Sequence, residues 1–426
     1  MAEISKEKVG KMLERMNKFG NEAKEDLMED ILLILTEEDM GNISLTPRER
    51  ADIMHLIQGD YSTYAFFNAL QVTMRVLDEM KLPEIKREIL RPLDREVKFG
   101  VELVPSTSID KIVGYTRKFE LGGMDNIWIT DHYTNRDPYV TLALVAGATD
   151  TAQLGVGVTN PYMRHLAQTA SVVASLDDVS DNRMILGLGV GDKSTLGALN
   201  IGMQKPLATV KETVEVIRSL WDGGSVNFEG DIIEIQNARM NFKPSRKIPI
   251  YVGAQGPKML KLAGSIGDGI LINASHEKDF DIASKMIKEG VSDAKKSLDD
   301  VDVVAYTSFS VDRDEKEAQK AAVPVVAFIA AGTPPKVLEN HGLDIERAEQ
   351  MKGFIEQGKF GDAFGLVDNS YLDVFSVSGT PEQCIGQIEN LLGAGVTQFV
   401  FGSPMGKSKK DALPLITEKI LPAFNS

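Results

Sequence analysis

Five short groups of polar or charged residues lie in or directly after apolar segments that have the length of buried strands. They are residue 102, residues 130–132, 159–160, 192–193 and 254–258. If these strands are parallel neighbours in one sheet, the groups share its carboxyl edge, where α/β-barrel enzymes place their catalytic residues. Carboxyl, hydroxyl, imidazole and amide groups in one place can transfer protons and hydrogen-bond a heterocycle.

Glu102 lies inside the first of these strands. Alternation with period two groups it with Gly100 and Val104, while the bulkier residues 99, 101 and 103 share the other face. We expect the less bulky face to point into a barrel, where desolvation would raise the pKa of the carboxyl and suit it to donating a proton near neutral pH. A buried ion pair with a lysine or arginine is the alternative.

Thr130, Asp131 and His132 end the second strand. The other histidines after residue 96 show no paired ligand spacing, so the pattern disfavours a metal site. It favours a hydrogen-bonding patch for a heterocycle. Thr159 and Asn160, which end the third strand, would lie at the same edge.

Two glycine-containing stretches suggest ligand contact. Gly187, Gly189 and Gly191 remove side chains from one strand, against which something flat could lie, and Asp192 follows. Asp192 occupies the third glycine position of a dinucleotide-binding motif, and the segment that follows lacks the strand–helix unit of that fold, so we exclude it. The sequence also lacks a P-loop and a G-x-S-x-G nucleophile motif.

The second stretch is a loop that ends with a proline entering a helix. Free backbone amides at such a helix start, with a lysine beside them, favour an anion, although a plain tight turn is the alternative. Its residues are Gly253, Ala254, Gln255, Gly256, Pro257 and Lys258.

From residue 96 the sequence alternates strand and helix to its end, which predicts a TIM (β/α)8 barrel with insertions. We expect the strands at 98–104, 126–130, 152–159, 184–190, 248–253, 269–273, 303–311 and 398–402. Residues 225–235 read as a hairpin, and about 312–378 as a helical insertion with an apolar helix at 323–331. Such insertions either shape access to the site or form a dimer surface.

Residues 1–95 contain five helical patterns and no convincing strand, which predicts a small all-helical domain before the barrel. The patterns cover 5–19, 22–36, 46–58, 61–80 and 83–91. This segment carries no chemical motif. It could bind a protein partner, mediate assembly or stabilise the chain.

Composition narrows the class of protein further. The 426 residues carry a net charge of −15, which argues against nonspecific nucleic-acid binding. A single cysteine, Cys384, and a charged N-terminus without an apolar run predict a cytoplasmic protein. The longest apolar stretch, at 323–331, is far shorter than a membrane span of about 20 residues.

Several motifs resemble those of the luciferase-like flavin and deazaflavin oxidoreductases, and among them the methylenetetrahydromethanopterin reductases. They are A-S-L-D-D-V-S-D-N-R-M-I-L-G-L-G-V-G-D at 174–192, V-K-F-G-V-E-L-V-P at 97–105, W-I-T-D-H-Y-T-N-R-D at 128–137, L-G-V-G-V-T-N-P-Y at 154–162, Y-V-G-A-Q-G-P-K-M-L at 251–260, G-I-L-I-N-A-S-H at 269–276 and V-T-Q-F-V-F-G-S-P at 396–404. The resemblance covers residues 97–426. It implies an oxidoreductase of archaeal one-carbon metabolism and methanogenesis, in which reduced coenzyme F420, a 5-deazaflavin, reduces methylenetetrahydromethanopterin to the methyl form.

The resemblance also implies roles for the residues named above. Glu102 would be the general acid, and Asp192 would orient the pterin or tune Glu102. The segment 130–132 would contact the deazaflavin, a bulge with a nonprolyl cis peptide at Gly157 and Val158 would back its ring, and residues 253–258 would bind its phosphate-bearing tail. Family members form dimers or larger assemblies, so a homo-oligomer is implied.

Two departures from the family are small, and one is large. Asp181 and Asn182 replace a common glycine pair before Arg183, and Val190 stands where proline is frequent. Residues 1–96 have no counterpart in typical members. Other luciferase-like activities, such as an F420-dependent secondary alcohol dehydrogenase or an FMN monooxygenase, remain the rival interpretation, with a non-catalytic assembly subunit as a remote third.

Overall fold

The computed structural model describes residues 97–424, and the helical domain predicted for residues 1–95 lies outside this range. The described chain contains thirteen strands and fourteen α-helices. The strands are β1 Lys98–Leu103, β2 Asn126–Ile129, β3 Gln153–Thr159, β4 Met184–Leu188, β5 Val226–Glu229, β6 Glu234–Ala238, β7 Ile250–Gly253, β8 Gly269–Ile272, β9 Asp302–Tyr306, β10 Phe309–Val311, β11 Val377–Gly379, β12 Gln398–Phe401 and β13 Pro404–Met405.

The helices alternate with the barrel strands or belong to insertions. They are α1 Ile109–Leu121, α2 Pro138–Ala146, α3 Leu166–Val179, α4 Lys193–Ala198, α5 Pro206–Asp222, α6 Pro257–Ile266, α7 Glu277–Asp293, α8 Glu315–Gly332, α9 Pro335–His341, α10 Ile345–Glu356, α11 Phe360–Phe364, α12 Asn369–Phe375, α13 Pro381–Gly393 and α14 Lys409–Leu415. Short 3-10 turns at Leu298–Asp300 and Leu421–Phe424 and a π turn at Ile416–Ile420 complete the described chain.

Eight strands close into a parallel barrel, as the sequence predicted. Their order around the barrel is β1-β12-β9-β8-β7-β4-β3-β2. Seven of the eight predicted strands coincide with a barrel strand to within a few residues, a margin typical of element boundaries. The predicted hairpin at 225–235 is the antiparallel pair β5–β6.

The side chains of β1 alternate between the main core and the barrel lumen, as a period of two residues predicts. Phe99, Val101 and Leu103 are buried in the main core. Gly100 faces the lumen, where an added Cβ would lie 3.3 Å from Cδ1 of Trp128. A second apolar cluster fills this lumen, with Trp128, Ile185, Tyr251, Leu271, Val304 and Val400 buried and Val158 and Tyr306 partly buried. Glu102 therefore points into the barrel above this cluster.

The seventh predicted strand, 303–311, is wrong as a single element. The chain leaves the barrel after β9, and β10 pairs instead with β11 and β13 in a separate three-stranded sheet. The backbone of Gly402 approaches here so closely that an added Cβ would lie 1.9 Å from the carbonyl oxygen of Thr307. Alternation of apolar residues continues through this break, so periodicity alone could not reveal it.

The insertion after the seventh barrel strand consists of α8 to α12 and has its own apolar core. It contacts the barrel through His341, whose Nε2 lies 2.9 Å from Oδ1 of Asp279 at the start of α7. Within the described chain, no single helix has the length and hydropathy of a membrane span. Only α8 and α9 taken together reach these values, and they are bent by 120°.

The chain turns from α3 into β4 through two left-handed residues. Asp181 and Asn182 have φ values of 56° and 65°. Asparagine and aspartate tolerate this conformation better than most residues, and glycine adopts it freely. The pair thus adopts the left-handed backbone conformation that two glycines would adopt at this turn.

The next residue, Arg183, joins this turn to the segment before β3. Its guanidinium donates to the carbonyl oxygens of Ser180, Ala146, Thr149 and Ala152 at 2.6 to 3.0 Å, and to Oγ1 of Thr149 at 3.0 Å. The side chain is buried, so each of these oxygens depends on it.

We predict that Arg183→Lys lowers the free energy of unfolding by about 2–4 kcal/mol, because an ammonium group cannot serve all these oxygens and leaves some of them buried and unpaired. Urea unfolding followed by circular dichroism measures the loss. Arg239→Lys, at an exposed position, is the matched control and should change stability by less than about 0.5 kcal/mol. Equal effects of the two substitutions would contradict this role for Arg183.

Candidate active site

The Glu102 carboxyl lies at the carboxyl end of the barrel beside the loop that follows β12. The backbone N–H of Ser403 donates to its Oε2 at 2.8 Å. An added Cβ at Gly402 would lie 3.1 Å from the same oxygen, so this glycine admits the carboxyl. Desolvation by burial raises the pKa of Glu102, while the Ser403 N–H and the charge of Lys409 offset part of this rise.

The alternative of a buried ion pair is not realised. In the described part of the chain, Glu102 forms no direct ion pair with a lysine or arginine, and Lys409 acts on it at longer range. Burial lowers the pKa of Lys409 itself. A carboxyl that is withdrawn from water and not neutralised by a directly bound cation keeps its proton to a higher pH than an exposed glutamate does.

Asp131 and Thr130, which follow β2, differ in the hydrogen bonds of their side chains. The Thr159 hydroxyl donates to Oδ2 of Asp131 at 2.7 Å, and desolvation raises the pKa of this carboxyl. Oγ1 of Thr130 is buried and has no hydrogen-bond partner within the described chain. Native structures rarely leave a buried hydroxyl unpaired, so this atom is suited to bind a ligand.

His132 connects to Asp192 through a residue that the sequence did not single out. Asp192 caps the start of α4 and accepts from the Thr195 hydroxyl at 2.6 Å. Oγ1 of Thr195 also lies 3.0 Å from Nε2 of His132, and Nδ1 of His132 lies 2.6 Å from the Thr134 hydroxyl. Because Thr195 gives its proton to Asp192, it accepts from Nε2–H, which leaves Nδ1 as acceptor.

Within residues 97–424, no group of three His, Cys, Asp or Glu side chains is arranged to hold a metal ion. The network bears on the role that the resemblance implied for Asp192. Asp192 lies at the rim in the Thr195–His132 network, and the charged group that acts on the pKa of Glu102 is Lys409. Asp192 is therefore not among the groups that shift the pKa of Glu102, and its role in orienting the pterin stays a prediction.

The glycines of β4 accommodate the neighbouring strand rather than a ligand. An added Cβ at Gly187 would lie 2.2 Å from the Val156 carbonyl oxygen, and one at Gly189 would lie 2.8 Å from Cγ2 of Val158. The strand β3 bulges here, and its Gly157–Val158 peptide is cis, as the resemblance implied. The expectation of a flat ligand against β4 was therefore wrong, because the bulge fills that space.

Asn160 and the loop after β7 complete the rim. Oδ1 of Asn160 accepts from the backbone N–H of Tyr162 and of Met163, both at 3.1 Å, so this oxygen stabilises its own turn. The helix α6 begins at Gly256 without a side-chain cap, with Pro257 in its first turn. Lys258 is exposed beside it. Uncapped amides with an adjacent lysine suit an anionic group.

The arrangement thus fits an extended cofactor with a planar ring and an anionic tail. The orphaned Thr130 hydroxyl offers the ring a partner, and the uncapped start of α6 offers a place for the tail. Between them, Val158 and Tyr306 are the members of the lumen cluster that remain partly exposed, so they form the floor of the site.

Four residues of this site were not predicted from the sequence: Ser403, Lys409, Thr195 and Tyr306. Ser403 follows a barrel strand directly, so the rule that located the other groups could have found it. Lys409 and Thr195 lie on helices that start beyond strand ends, and spacing alone does not show that they turn back toward the rim. Tyr306 was predicted to lie in the interior of one long strand, 303–311.

The barrel and these rim residues define a luciferase-like protein. The sequence model of the family described as luciferase-like monooxygenase matches residues 97–398. A 5,10-methylenetetrahydromethanopterin reductase of Methanolobus tindarius is 48% identical over 324 residues, which cover 76% of this chain and 99% of the relative. The reductase of that name from Archaeoglobus fulgidus is 46% identical and is likewise covered to 99%.

A solved structure agrees with these relatives. The coenzyme F420-dependent tetrahydromethanopterin reductase from Methanopyrus kandleri matches with a TM-score of 0.74 and 43% identity, over 77% of this chain and 99% of that one. The chain therefore belongs, within the luciferase-like proteins, to the family of 5,10-methylenetetrahydromethanopterin reductases.

The raised pKa of Glu102 predicts a pH-dependent cost to folding. A carboxyl with a raised folded-state pKa contributes stability below its unfolded pKa of about 4.3 and loses it as pH rises through the folded value. Glu102→Gln cannot ionise, so its stability relative to the wild type should increase as pH rises from about 4.3 through the folded-state pKa of Glu102. Urea unfolding of both proteins across this range measures the difference, and a constant difference would contradict the pKa direction.

Proposed function

We propose that this protein reduces 5,10-methylenetetrahydromethanopterin to 5-methyltetrahydromethanopterin with hydride from reduced coenzyme F420. The family relationship supports the reaction, and the Glu102 carboxyl is the observation in the structure that carries it. A proton donor inside the mouth of the barrel is what this reduction requires beyond the hydride source. The Glu102 carboxyl suits that requirement because burial raises its pKa.

The proton from Glu102 goes to the pterin nitrogen from which the methylene carbon separates. As that C–N bond breaks, the carbon becomes electron-poor and accepts hydride, which forms the new C–H bond. Glu102 is then a carboxylate, which the Ser403 N–H and the positive charge of Lys409 stabilise, as both lower its pKa. Solvent protons restore the acid. General acid catalysis of this kind contributes about 10²- to 10⁴-fold to the rate.

Coenzyme F420, when bound, supplies the hydride. Thr130, Asp131 and His132 would hold one edge of its ring, with Gly157 and Val158 behind it and Thr159 and Asn160 supporting that wall. The amides of Gly256 and its neighbours, with Lys258, would bind the phosphate-bearing tail, and Gly253, Ala254, Gln255 and Pro257 shape that loop. These residues align two rings for transfer, which is the main contribution of such a site.

Asp192 acts through the network that it shares with Thr195 and His132. The carboxylate orders the Thr195 hydroxyl, and this hydroxyl fixes the ring and the tautomer of His132. A His132 side chain held in this way presents a constant hydrogen-bonding edge to the cofactor or to the pterin. The same rim position allows Asp192 to orient the pterin directly.

We also propose that the enzyme works in the cytoplasm as a homo-oligomer. Cys384 is buried as a free thiol, which suits a reducing compartment. Residues 1–95 are proposed to bind a protein partner or to support assembly. The family resemblance supports the oligomer. Size-exclusion chromatography with light scattering tests it, and a monomer would contradict it.

The purified protein should oxidise reduced coenzyme F420 only when methylenetetrahydromethanopterin is present. The absorbance of the deazaflavin reports the reaction, and the methyl product is identified by mass spectrometry. Oxidation no faster than in an enzyme-free control would overturn the proposal. Turnover of isopropanol, or FMN that copurifies tightly, would indicate another luciferase-like activity instead.

Glu102→Gln should lower kcat by at least about 100-fold and leave the Kd of coenzyme F420 within about threefold of the wild type, because it removes the proton and keeps the shape of the side chain. Stopped-flow absorbance gives the rate, and fluorescence titration of the deazaflavin gives the Kd. A variant that retains more than a tenth of the wild-type kcat would show that another group supplies the proton.

Thr195→Val should lower kcat/KM by about fivefold to tenfold, because it disconnects Asp192 from His132 at the cost of one hydrogen bond on each side. Thr333→Val is the matched control, since its hydroxyl bonds only to a helix carbonyl in the insertion. Steady-state kinetics of both variants measure the effect. If Thr195→Val behaves like the control, the network does not contribute to the site.

A further inference from the structure

Tyr306 spans the barrel lumen and contacts the bulge of the opposite strand. It ends β9, and three strands separate β9 from β3 in either direction around the barrel. The Tyr306 hydroxyl donates to the carbonyl oxygen of Gly157 at 3.2 Å. Gly157 is the first residue of the cis peptide bond with Val158. The Tyr306 side chain thus connects two opposite walls of the barrel below the site.

The bulge is shaped to receive this hydroxyl. An added Cβ at Gly157 would lie 3.0 Å from the Tyr306 oxygen and 3.1 Å from Cε3 of Trp128, closer than side-chain carbons normally approach. A side chain at this position would therefore crowd the phenol as it reaches the backbone of the bulge. Trp128 supports the Tyr306 ring edge-on, with ring centroids 6.4 Å apart and planes inclined by 71°.

The phenol also remains a donor under all ordinary conditions. Desolvation raises the pKa of Tyr306 well above its usual value, and the negative charge that Glu102 acquires on ionisation raises it further. The hydrogen bond to Gly157 therefore persists whether or not Glu102 is protonated. Among the lumen residues, Tyr306 and Val158 are the two that remain partly exposed to the site.

We propose that Tyr306 is a positioning residue, which holds the Gly157 carbonyl and thereby fixes Val158 as the surface on which the deazaflavin ring rests. This inference depends on the proposed function, because it assigns the floor of the site to coenzyme F420. The hydrogen bond from Tyr306 holds the bulge in place, and the position of the bulge sets the height of the ring above the lumen. Ring height in turn sets the distance over which hydride moves to the pterin.

The test is Tyr306→Phe, which removes the hydroxyl and keeps the ring that packs on Trp128. The Kd of coenzyme F420, from fluorescence titration, should rise about fivefold to tenfold, the size expected for one hydrogen bond. The single-turnover rate of hydride transfer at saturating cofactor and pterin should fall by a similar factor. A purely structural role would lower the melting temperature and leave both quantities unchanged.

Tyr251→Phe is the matched control. Tyr251 belongs to the same lumen cluster, and its hydroxyl donates to Asp302 at the opposite end of the barrel. This variant also loses one tyrosine hydroxyl and should alter only the melting temperature. The inference is overturned if Tyr306→Phe binds the cofactor and transfers hydride like the wild type, or if its losses equal those of Tyr251→Phe.

Failure of the proposed function would give different experimental results from failure of this inference. In that case the wild type itself binds no coenzyme F420 or does not oxidise it with methylenetetrahydromethanopterin. If the wild type binds the cofactor without turnover, the Kd comparison of the two tyrosine variants still decides the role of Tyr306. If the wild type binds none, the floor of the site is not a deazaflavin surface, and the inference fails with the proposed function.

Discussion

Removal of the Glu102 carboxyl from water is the constraint on which the site depends. The charge on a buried carboxylate is costly, so the protein keeps a proton on Glu102 at a pH where an exposed glutamate would have lost it. Ser403 and Lys409 limit this cost when the proton leaves. A carboxyl bound directly by an arginine would be ionised and could not act as the acid. The partial, distant compensation that the structure shows suits a group that must both hold and release its proton.

The space around Glu102 is set by backbone packing more than by large side chains. Gly187 of β4 and Gly189 just after it leave room for the bulge of β3, and Gly157 leaves room for the Tyr306 hydroxyl. The bulge and the phenol together close the lumen below the site. In the proposed complex, a ring that rests on Val158 would be held in place by these contacts, as aligned transfer between two rings requires.

The orientation of Glu102 and the positions of the other rim residues could be predicted from the sequence, for a physical reason. Strand periodicity shows which side of β1 is crowded, so Glu102 was expected to face the lumen, and strand ends locate the other rim residues. Contacts between distant strands are different in kind: Tyr306 and Gly157 are 149 residues apart and meet only because the barrel closes. The glycines of β4 show the same limit, since a missing side chain does not reveal whether a ligand or a neighbouring strand fills the space.

The central claim, that burial raises the pKa of Glu102 above that of an exposed glutamate, can be measured without turnover. Infrared difference spectra between the wild type and Glu102→Gln, recorded as pH is raised, isolate the carboxyl band of this one residue. We expect the protonated band to persist above the ordinary glutamate pKa of about 4.3. A band that is lost at or below that ordinary value would mean that Glu102 is a carboxylate in the resting enzyme, and it would contradict the account.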